Sequence, residues 1–329
     1  MQRSNPRTYL YRFLEANWLK PFDAVWDAAV ASILSEASMP EPSLDVGCGD
    51  GLFMLIASGG RLRLAYDRYT DTSDTRMPLS SMVTEPSLTP FTIGLDVKAG
   101  LVDKARRTGA YRQMVVGDGQ ALPFHDQTFA SIFSNTLYWL PDWRRGLQEM
   151  RRVVRDDGRV VLVVPNRGIG EHLRSYHRAR RYQQGGRHLA AAFFDSVDRG
   201  RFQTLTRLTG DLDAWRRRMT DVGFRVCTSV SVLHPGVVTR WDFGTRPCLR
   251  LLILMSRWLQ AVRLKSVVKR LVVSALERPL WPWVEQSTAP PGTSTYSLWV
   301  LVMEPVRQLG EEEKDRRELE VVNGRTGAR

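Results

Sequence analysis

A run of glycines flanked by acids is the part of this chain best suited to bind a small ligand. The run is Asp45-Val46-Gly47-Cys48-Gly49-Asp50-Gly51, and it follows a short apolar segment. Glycines at this spacing let the backbone turn sharply and approach a ligand where a Cβ would collide. The free N–H groups of a following helix point at the same place. An aspartate two residues before the first glycine disfavours a pyrophosphate and suits a ligand that carries an amine.

Two further aspartates end the next two convincing strands of the sequence. Asp96 follows Ile93-Gly94-Leu95, and a carboxylate there can accept both hydroxyl protons of a ribose. Asp118 follows the strand expected at 112–116 and can accept from the exocyclic amine of an adenine. Three acids at three strand ends, with no Lys or Arg among them, indicate a nucleoside without phosphates. The pattern favours S-adenosylmethionine over a nicotinamide dinucleotide.

The elements that must position these residues alternate between strand-like and helix-like patterns. Strands are expected at 44–46, 62–66, 93–96, 112–116, 129–133, 159–164, 224–233 and 297–302. Helices are expected at 8–37, 99–108, 143–155 and 211–222, with a turn at 156–158. Such alternation predicts an α/β fold with a doubly wound, mostly parallel sheet.

Several of these motifs taken together resemble one known family. LDVGCGDG, IGLD, GDGQALPF and DDGRVVLVVPN are similar to the class I S-adenosylmethionine-dependent methyltransferases, within them to the methyltransferase type 11 group. The resemblance covers residues 42–166 well and 211–233 and 297–304 more weakly. It implies a Rossmann-like methyltransferase fold with a seven-stranded sheet whose last two strands form a hairpin. Residues 234–296 are then a basic helical insertion between those last two strands.

The resemblance also implies which residues bind the cofactor. Asp45 and the glycines of the turn would hold the methionyl end of the cofactor. Asp96 would bind its ribose, and Asp118 with Gly119 and Gln120 its adenine. Residues 134–136 would lie near the sulfonium and the acceptor. The full expected set is Asp45, Gly47, Cys48, Gly49, Gly51, Asp96, Val97, Asp118, Gly119, Gln120, Ser134 and Asn135.

Asp67 competes with Asp96 for the ribose. The ribose acid usually stands about 20 residues beyond the glycine turn, a spacing that Asp67 has, whereas Asp96 lies 49 residues after Gly47. Asp96 is favoured because it leads directly into a helix and then into the Asp118 strand. Asp67 leads into a Ser-, Thr- and Pro-rich stretch, 67–92, which is expected to be a surface insertion.

No residue stands out as catalytic, and the chemistry explains why. Displacement at a sulfonium methyl chiefly needs an aligned acceptor, and a base only when the acceptor is a poor nucleophile. Candidates are His172 and His177, in an Arg- and His-rich stretch at 167–210, and Tyr138 after the fourth strand. No metal site is expected, because the three cysteines lie far apart.

The charge of the chain predicts an acidic partner. Lys and Arg number 47 against 35 Asp and Glu, a formal net charge of +12. Between 246 and 276 seven Lys or Arg alternate with apolar residues and no acid, and a Trp-rich segment follows. Basic amphipathic helices with tryptophans are typical of a membrane interface. The segment 246–284 is therefore expected, as two short helices, to lie on an anionic membrane surface or to form a lid over the acceptor pocket.

These features predict a methyltransferase that moves a methyl group from S-adenosylmethionine to a small-molecule or lipid-like acceptor by in-line displacement. A cytoplasmic enzyme, or one peripheral on the inner membrane face, is expected, because the sequence shows neither a secretory signal nor a long apolar stretch. One alternative is a nucleic-acid methyltransferase, which the Arg clusters at 144–155, 174–187 and 216–218 would favour. The other is a non-catalytic cofactor-binding protein. The expected division is a helical cap (1–40), a cofactor-binding core (41–166), a helical excursion (167–210), the rest of the core (211–305) and a disordered tail (306–329).

Overall fold

The computed structural model describes residues 6–69, 82–289 and 295–306. The strands in this part of the chain are β1 (Ser43–Val46), β2 (Arg61–Leu62), β3 (Val83–Glu85), β4 (Phe91–Asp96), β5 (Tyr111–Val116), β6 (Phe129–Ser134), β7 (Val154–Pro165), β8 (Phe224–Val232), β9 (Thr288–Ala289) and β10 (Leu298–Pro305). The helices are α1 (Pro6–Asn17), α2 (Pro21–Glu36), α3 (Leu52–Ala57), α4 (Ala99–Arg106), α5 (Trp143–Val153), α6 (Arg174–Gln184), α7 (His188–Asp198), α8 (Arg201–Arg207), α9 (Leu212–Thr220), α10 (Pro235–Asp242), α11 (Leu249–Ala261) and α12 (Lys265–Glu285). Two 3₁₀ turns cover Leu137–Trp139 and Arg167–His172.

The main sheet has the order β5-β4-β1-β6-β7-β10-β8-β9. The first five of these strands run parallel, and β10 runs antiparallel between β7 and β8. This arrangement confirms the doubly wound, mostly parallel sheet and the hairpin of its last long strands. The sheet has eight strands rather than seven, because the short β9 pairs with the outer edge of β8.

The centre of the sheet is β7, whose Val160–Val164 stretch is fully buried. A strand covered on both faces reads as a continuous apolar run, which is why the sequence pattern predicts it so clearly. The strand starts earlier than expected, at Val154. The expected turn at 156–158 is instead a bulge within β7, since Val154 pairs with Phe129 and Arg159 already with Ser131.

Two predictions for the N-terminal half of the chain are wrong in detail. The single helix at 8–37 is two helices, because the chain turns at 18–20 and Pro21 then starts α2, where its missing N–H is no loss. In place of the strand expected at 62–66 the chain forms the two-residue strand β2, which pairs antiparallel with β3. The expected insertion 67–92 therefore contains a strand, and its residues 70–81 lie outside the described part of the chain.

Helices α10 to α12 lie between β8 and β10, where the helical insertion was expected. The second of the two expected helices is long rather than short, since α12 runs through Pro279 and Pro282 to Glu285. It packs against α1 and α2. Within the described ranges, no helix combines the length and apolar character needed to cross a membrane. The expected tail lies, from 307 onward, outside the described residues.

Candidate cofactor and acceptor site

The glycine turn at the end of β1 adopts a conformation that only glycine takes up without strain. Gly47, Gly49 and Gly51 have φ values of +82°, +59° and +75°. At Gly47 there is also no room for a side chain, since a Cβ would lie 2.1 Å from Thr136 Oγ1. The amides of Gly47 and Cys48 donate to the Leu95 carbonyl at 2.8 and 3.0 Å. The turn is thus tied to the end of the neighbouring strand β4.

Asp96 closes this link from the other side. Its carboxylate is buried, and Oδ2 accepts from the Gly49 amide at 3.0 Å while Oδ1 accepts from the Lys98 amide at 2.9 Å. An ionised carboxylate has about four acceptor sites, so capacity remains for two hydroxyl groups. The acid expected to bind a ribose is therefore held directly against the glycine turn.

Asp67, the competing ribose candidate, is engaged elsewhere. Its side chain is almost fully buried, and Oδ2 accepts from Ser256 Oγ at 2.5 Å. Oδ1 accepts from the Tyr69 amide at 2.9 Å. Because Ser256 belongs to α11, Asp67 fastens that helix to the segment after β2.

Asp45 is buried beside the glycine turn and forms a hydrogen bond with Tyr111 of β5. Tyr111 Oη donates to its Oδ2 at 2.6 Å, and Gly94 allows this contact because a Cβ there would lie 2.8 Å from the Tyr111 ring. Burial, which outweighs the lowering effect of this hydrogen bond, and the nearby charge of Asp96 raise the pKa of Asp45 to about 7. Asp45 therefore influences a ligand in the turn from a buried position, and its carboxylate is not exposed to solvent.

The thiol of Cys48 is a packing group. It is buried, and burial together with the charges of Asp45 and Asp96 raises its pKa far above the ordinary value. A thiol kept neutral in this way is a poor nucleophile.

The loop after β6 meets the glycine turn at the carbonyl of Val46. Ser134 Oγ and Thr136 Oγ1 both donate to that oxygen, at 2.8 and 3.0 Å. Between them, Asn135 Oδ1 is buried and has no hydrogen-bond partner among the residues that the structure describes. Buried polar atoms are nearly always satisfied, so this oxygen is an acceptor that a ligand N–H or ammonium could satisfy.

The segment expected to hold an adenine folds back on itself. The Gln120 amide donates to Asp118 Oδ1 at 2.9 Å, and Gln120 Oε1 accepts from the Asp142 amide at 2.7 Å. Val97 and Val116, at the ends of the neighbouring strands β4 and β5, are 65% and 49% exposed. Exposed apolar side chains at adjacent strand ends suit the faces of a flat ring. The sequence reasoning had missed Val116, although its place just before Gly117-Asp118-Gly119 was a usable signal.

A pocket of about 310 Å³ is lined in part by Arg68, which donates to Asp50 of the glycine turn. Its walls come from α1, α2, the turn after β6, α8 and α10, and its lining residues are Asn17, Lys20, Asp23, Trp26, Asp27, Arg68, Tyr138, Trp139, Arg201, Thr204, Leu205 and Trp241. We call it the acceptor pocket. Of the catalytic candidates it contains Tyr138, whose burial raises its pKa to about 12. Such a phenol stays protonated at neutral pH.

The two candidate histidines stand apart from the lining of the acceptor pocket. His177 Nε2 lies 2.9 Å from the Gly170 carbonyl, and the imidazole packs against Phe202. His172 is half-buried, and burial lowers its pKa. His177 thus stabilises the helical stretch 167–210.

A chain of hydrogen bonds connects the acceptor pocket with the glycine turn. Arg68 Nη2 donates to Asp50 Oδ2 and Nη1 to Asn17 Oδ1, both at 2.7 Å. Asn17 Nδ2 in turn donates to Asp27 Oδ2 at 3.1 Å. Asp50 lies inside the glycine turn, so Asp27 is three hydrogen bonds from the expected cofactor.

Asp27 is the pocket residue that sequence reasoning missed most clearly. Burial, then the charge of Asp23, raise the pKa of Asp27 to about 7, against the lowering effect of Arg68, Lys20 and the Asn17 hydrogen bond. Lys20 pairs with Asp23, and Arg68 with Asp50. Among the described residues Asp27 itself forms no ion pair. Its only signal in the sequence was an acid within an otherwise apolar helical stretch.

Comparison with known proteins bears on the same part of the chain. Residues 83–162 match a family model described as a methyltransferase domain, of the type 11 group. A malonyl-[acyl-carrier protein] O-methyltransferase of Geobacter sulfurreducens is 29% identical over 177 residues, which cover 52% of this chain and 56% of the relative. The protein of the same name from Halorhodospira halophila is 31% identical over 127 residues, 34% of this chain and 43% of the relative. The chain thus spans about half the length of these curated relatives.

Among solved structures, a methyltransferase of Geobacter sulfurreducens in complex with S-adenosyl-L-homocysteine is similar at 11% identity. The match has a TM-score of 0.40 and covers 85% of this chain and 90% of that one.

Proposed function

We propose that this chain, whose residues 83–162 match a family model of a methyltransferase domain, transfers a methyl group from S-adenosylmethionine to a small-molecule or lipid-like acceptor. The observation that carries the proposal is the contact between Asp96 and the Gly49 amide, which joins a ribose-binding carboxylate to a glycine turn. The residues around this contact fit the cofactor, because the unpartnered Asn135 Oδ1 suits its ammonium and the exposed Val97 and Val116 suit its adenine. When bound, S-adenosylmethionine supplies a methyl group made electrophilic by the sulfonium.

The contribution of the protein is then to bind and align. Gly47 to Gly51 let the backbone approach the ligand, and Asp96 fixes its ribose. The acceptor pocket holds the acceptor, and Trp26, Trp139 and Trp241 line its walls. Holding two reactants in line is worth about 7–11 kcal/mol of the barrier. Aromatic walls favour an acceptor with an apolar part.

Asp27 gives this pocket a group that can take a proton. A carboxyl whose pKa lies near neutrality is ionised often enough to accept a proton and basic enough to hold it. The cations around it are already paired with carboxylates, Lys20 with Asp23, Arg68 with Asp50 and Arg201 with Asp242. This balance favours a neutral O–H or N–H acceptor that donates to Asp27 Oδ1 over an anionic one.

Calorimetric titration with S-adenosylmethionine and S-adenosylhomocysteine tests the proposal. We expect micromolar binding of both, followed by release of S-adenosylhomocysteine when pools of hydroxyl-, amine- and carboxyl-bearing small molecules and lipid extracts are added. A folded sample that binds neither compound would overturn the proposal. Binding without turnover on any pool would support the non-catalytic alternative instead.

Replacing Asp27 by asparagine tests the acceptor side. With the best acceptor from those pools, the wild-type rate is expected to rise with pH through about 7, because the carboxylate form of Asp27 accepts the proton. Asp27→Asn should abolish this rise and lower kcat by about 100-fold, the usual contribution of a general base. The measurement is kcat between pH 5 and 9.

Asp23→Asn is the matched control for this test. The charge of Asp23 raises the pKa of Asp27, so its loss should keep the rise in rate but move it to lower pH. A rate independent of pH that survives Asp27→Asn would speak against a base. It would instead point to an acceptor that is already ionised, such as the malonyl group in the names of the relatives.

A further inference from the structure

The helices α11 and α12 expose several of their large apolar residues to solvent. In α11 the side chains of Leu251, Leu254, Met255 and Trp258 follow one another at intervals of three and four residues, which places them on one face. This face is exposed to solvent: Leu251 is 68%, Leu254 57% and Trp258 62% accessible. The exposed apolar surface continues through Val262, Leu264, Val267 and Leu271. We call these eight residues the apolar stripe.

The inner side of the same two helices carries buried polar groups beside apolar ones such as Leu259 and Val273. Ser256 is fully buried and donates to Asp67. Lys269 is fully buried and donates to the Tyr66 carbonyl at 2.6 Å, and the nearly buried Lys265 donates to Gln260 Oε1 at 2.7 Å. A helix that packs on a protein core normally buries its apolar face and exposes its charges. In α11 and α12 charged and polar groups are buried as well, and the apolar stripe faces solvent, so the stripe is not the surface that packs on the protein.

Basic residues border the apolar stripe. Arg250, Arg257, Arg263 and Arg270 are exposed, and the segment 246–276 contains no acid. Beside the start of α11 lies a groove of about 760 Å³ that is lined by Arg199, Arg201, Arg246 and Arg250 together with the apolar side chains of Phe193, Val197, Leu249 and Ile253. Arg201 also lines the acceptor pocket.

We propose that the apolar stripe docks on the surface of an anionic lipid bilayer, with Leu254 and Trp258 in the acyl boundary and the bordering arginines at the headgroups. Charge complementarity selects this occupant, because a second copy of this chain would place the same arginines opposite one another. Arginine near an anionic leaflet is favourable, and a tryptophan beside aliphatic side chains suits the interface. The surface adjoins the acceptor pocket through Arg201, so docking presents that pocket to membrane-borne acceptors. The inference does not depend on methyl transfer.

Vesicle flotation tests the proposal on the full chain. Vesicles of phosphatidylcholine alone are compared with vesicles that also contain phosphatidylglycerol. The wild type is expected to float with the anionic vesicles and to bind neutral ones at least tenfold more weakly. The double substitution Leu254→Ser and Trp258→Ser should weaken binding to the anionic vesicles by at least tenfold, because two large apolar side chains no longer leave water.

Leu88→Ser is the matched control. Leu88 is 72% exposed but lies outside the two helices, before β4, so its loss should leave flotation unchanged. Thermal unfolding and cofactor titration of the double variant verify that it folds and that its cofactor site is intact. Wild-type protein that stays with neither vesicle, or a double variant that floats like the wild type, overturns the proposal. So does a wild-type dimer that the double variant disperses in sedimentation analysis.

Discussion

Gly47→Ala is expected to abolish measurable binding of S-adenosylmethionine, with a loss of affinity of at least 100-fold. A Cβ at this position would lie 2.1 Å from Thr136 Oγ1 and 2.6 Å from its Cγ2. Both the turn and the loop after β6 would have to move, and with them Asn135. The positive φ adds a backbone cost of about 1–2 kcal/mol for alanine. Calorimetric titration measures the affinity, and chemical denaturation the free energy of unfolding.

Gly186→Ala separates backbone strain from the clash. Gly186 has a φ of +68°, and a Cβ there would meet nothing within 4 Å. It lies between α6 and α7, away from the glycine turn. The control should lose about 1 kcal/mol of stability and keep its affinity for the cofactor. Equal affinities of the two variants would mean that the turn at Gly47 does not shape the cofactor site.

A double-mutant cycle sharpens the result. Thr136→Ala removes both atoms closest to the added methyl group, although its Cβ, 2.8 Å from that group, stays. In the background of Thr136→Ala, the Gly47→Ala substitution should therefore cost less stability than in the wild type. Such non-additivity is the signature of a direct contact. Simple additivity would place the damage elsewhere.

The sequence was most informative where local pattern and burial coincide. The apolar run at 159–164 identified the central strand, since only a doubly covered strand is apolar throughout. The glycine turn and the acids after β4 and β5 could be placed because strand ends in a parallel sheet meet at one edge. Their distances could not be deduced, since the Gly49 contact with Asp96 joins residues 47 positions apart.

Two features of the site lay beyond sequence reasoning for physical reasons. Burial and the charge of Asp23 raise the pKa of Asp27, and Arg68, which also donates to Asp50 of the glycine turn, lowers it. No local pattern encodes that meeting. The apolar stripe of α11 shows the other limit. Helical periodicity reveals that a face is apolar but not whether it packs inward or outward, and the direction follows from the exposure of Leu251 and Trp258 in the structure.

The sequence spacing left Asp67 and Asp96 in competition for the ribose, and a pair of substitutions distinguishes their roles. Asp96→Asn should weaken binding of S-adenosylmethionine by at least tenfold. Its new amide group would face either the Gly49 or the Lys98 N–H, donor against donor, and the charge that draws the ribose hydroxyls is lost. Thermal stability should fall only modestly, because the carboxylate lies at the carboxyl end of β4 rather than in the centre of the sheet.

Asp67→Asn is expected to do the reverse. Its carboxylate accepts from Ser256 Oγ and the Tyr69 amide, so the substitution weakens the attachment of α11 and lowers the unfolding temperature. The affinity for the cofactor should remain within about twofold of the wild type, because these two partners belong to α11 and to the segment after β2 rather than to the glycine turn. Calorimetry and thermal unfolding of both variants measure the two effects. If Asp67→Asn lost the cofactor while Asp96→Asn kept it, the ribose would have to be assigned to the earlier aspartate. In that case β4, which ends at Asp96, would not be the strand that carries the ribose acid, and the long separation between Gly47 and Asp96 would not reflect an insertion before that strand.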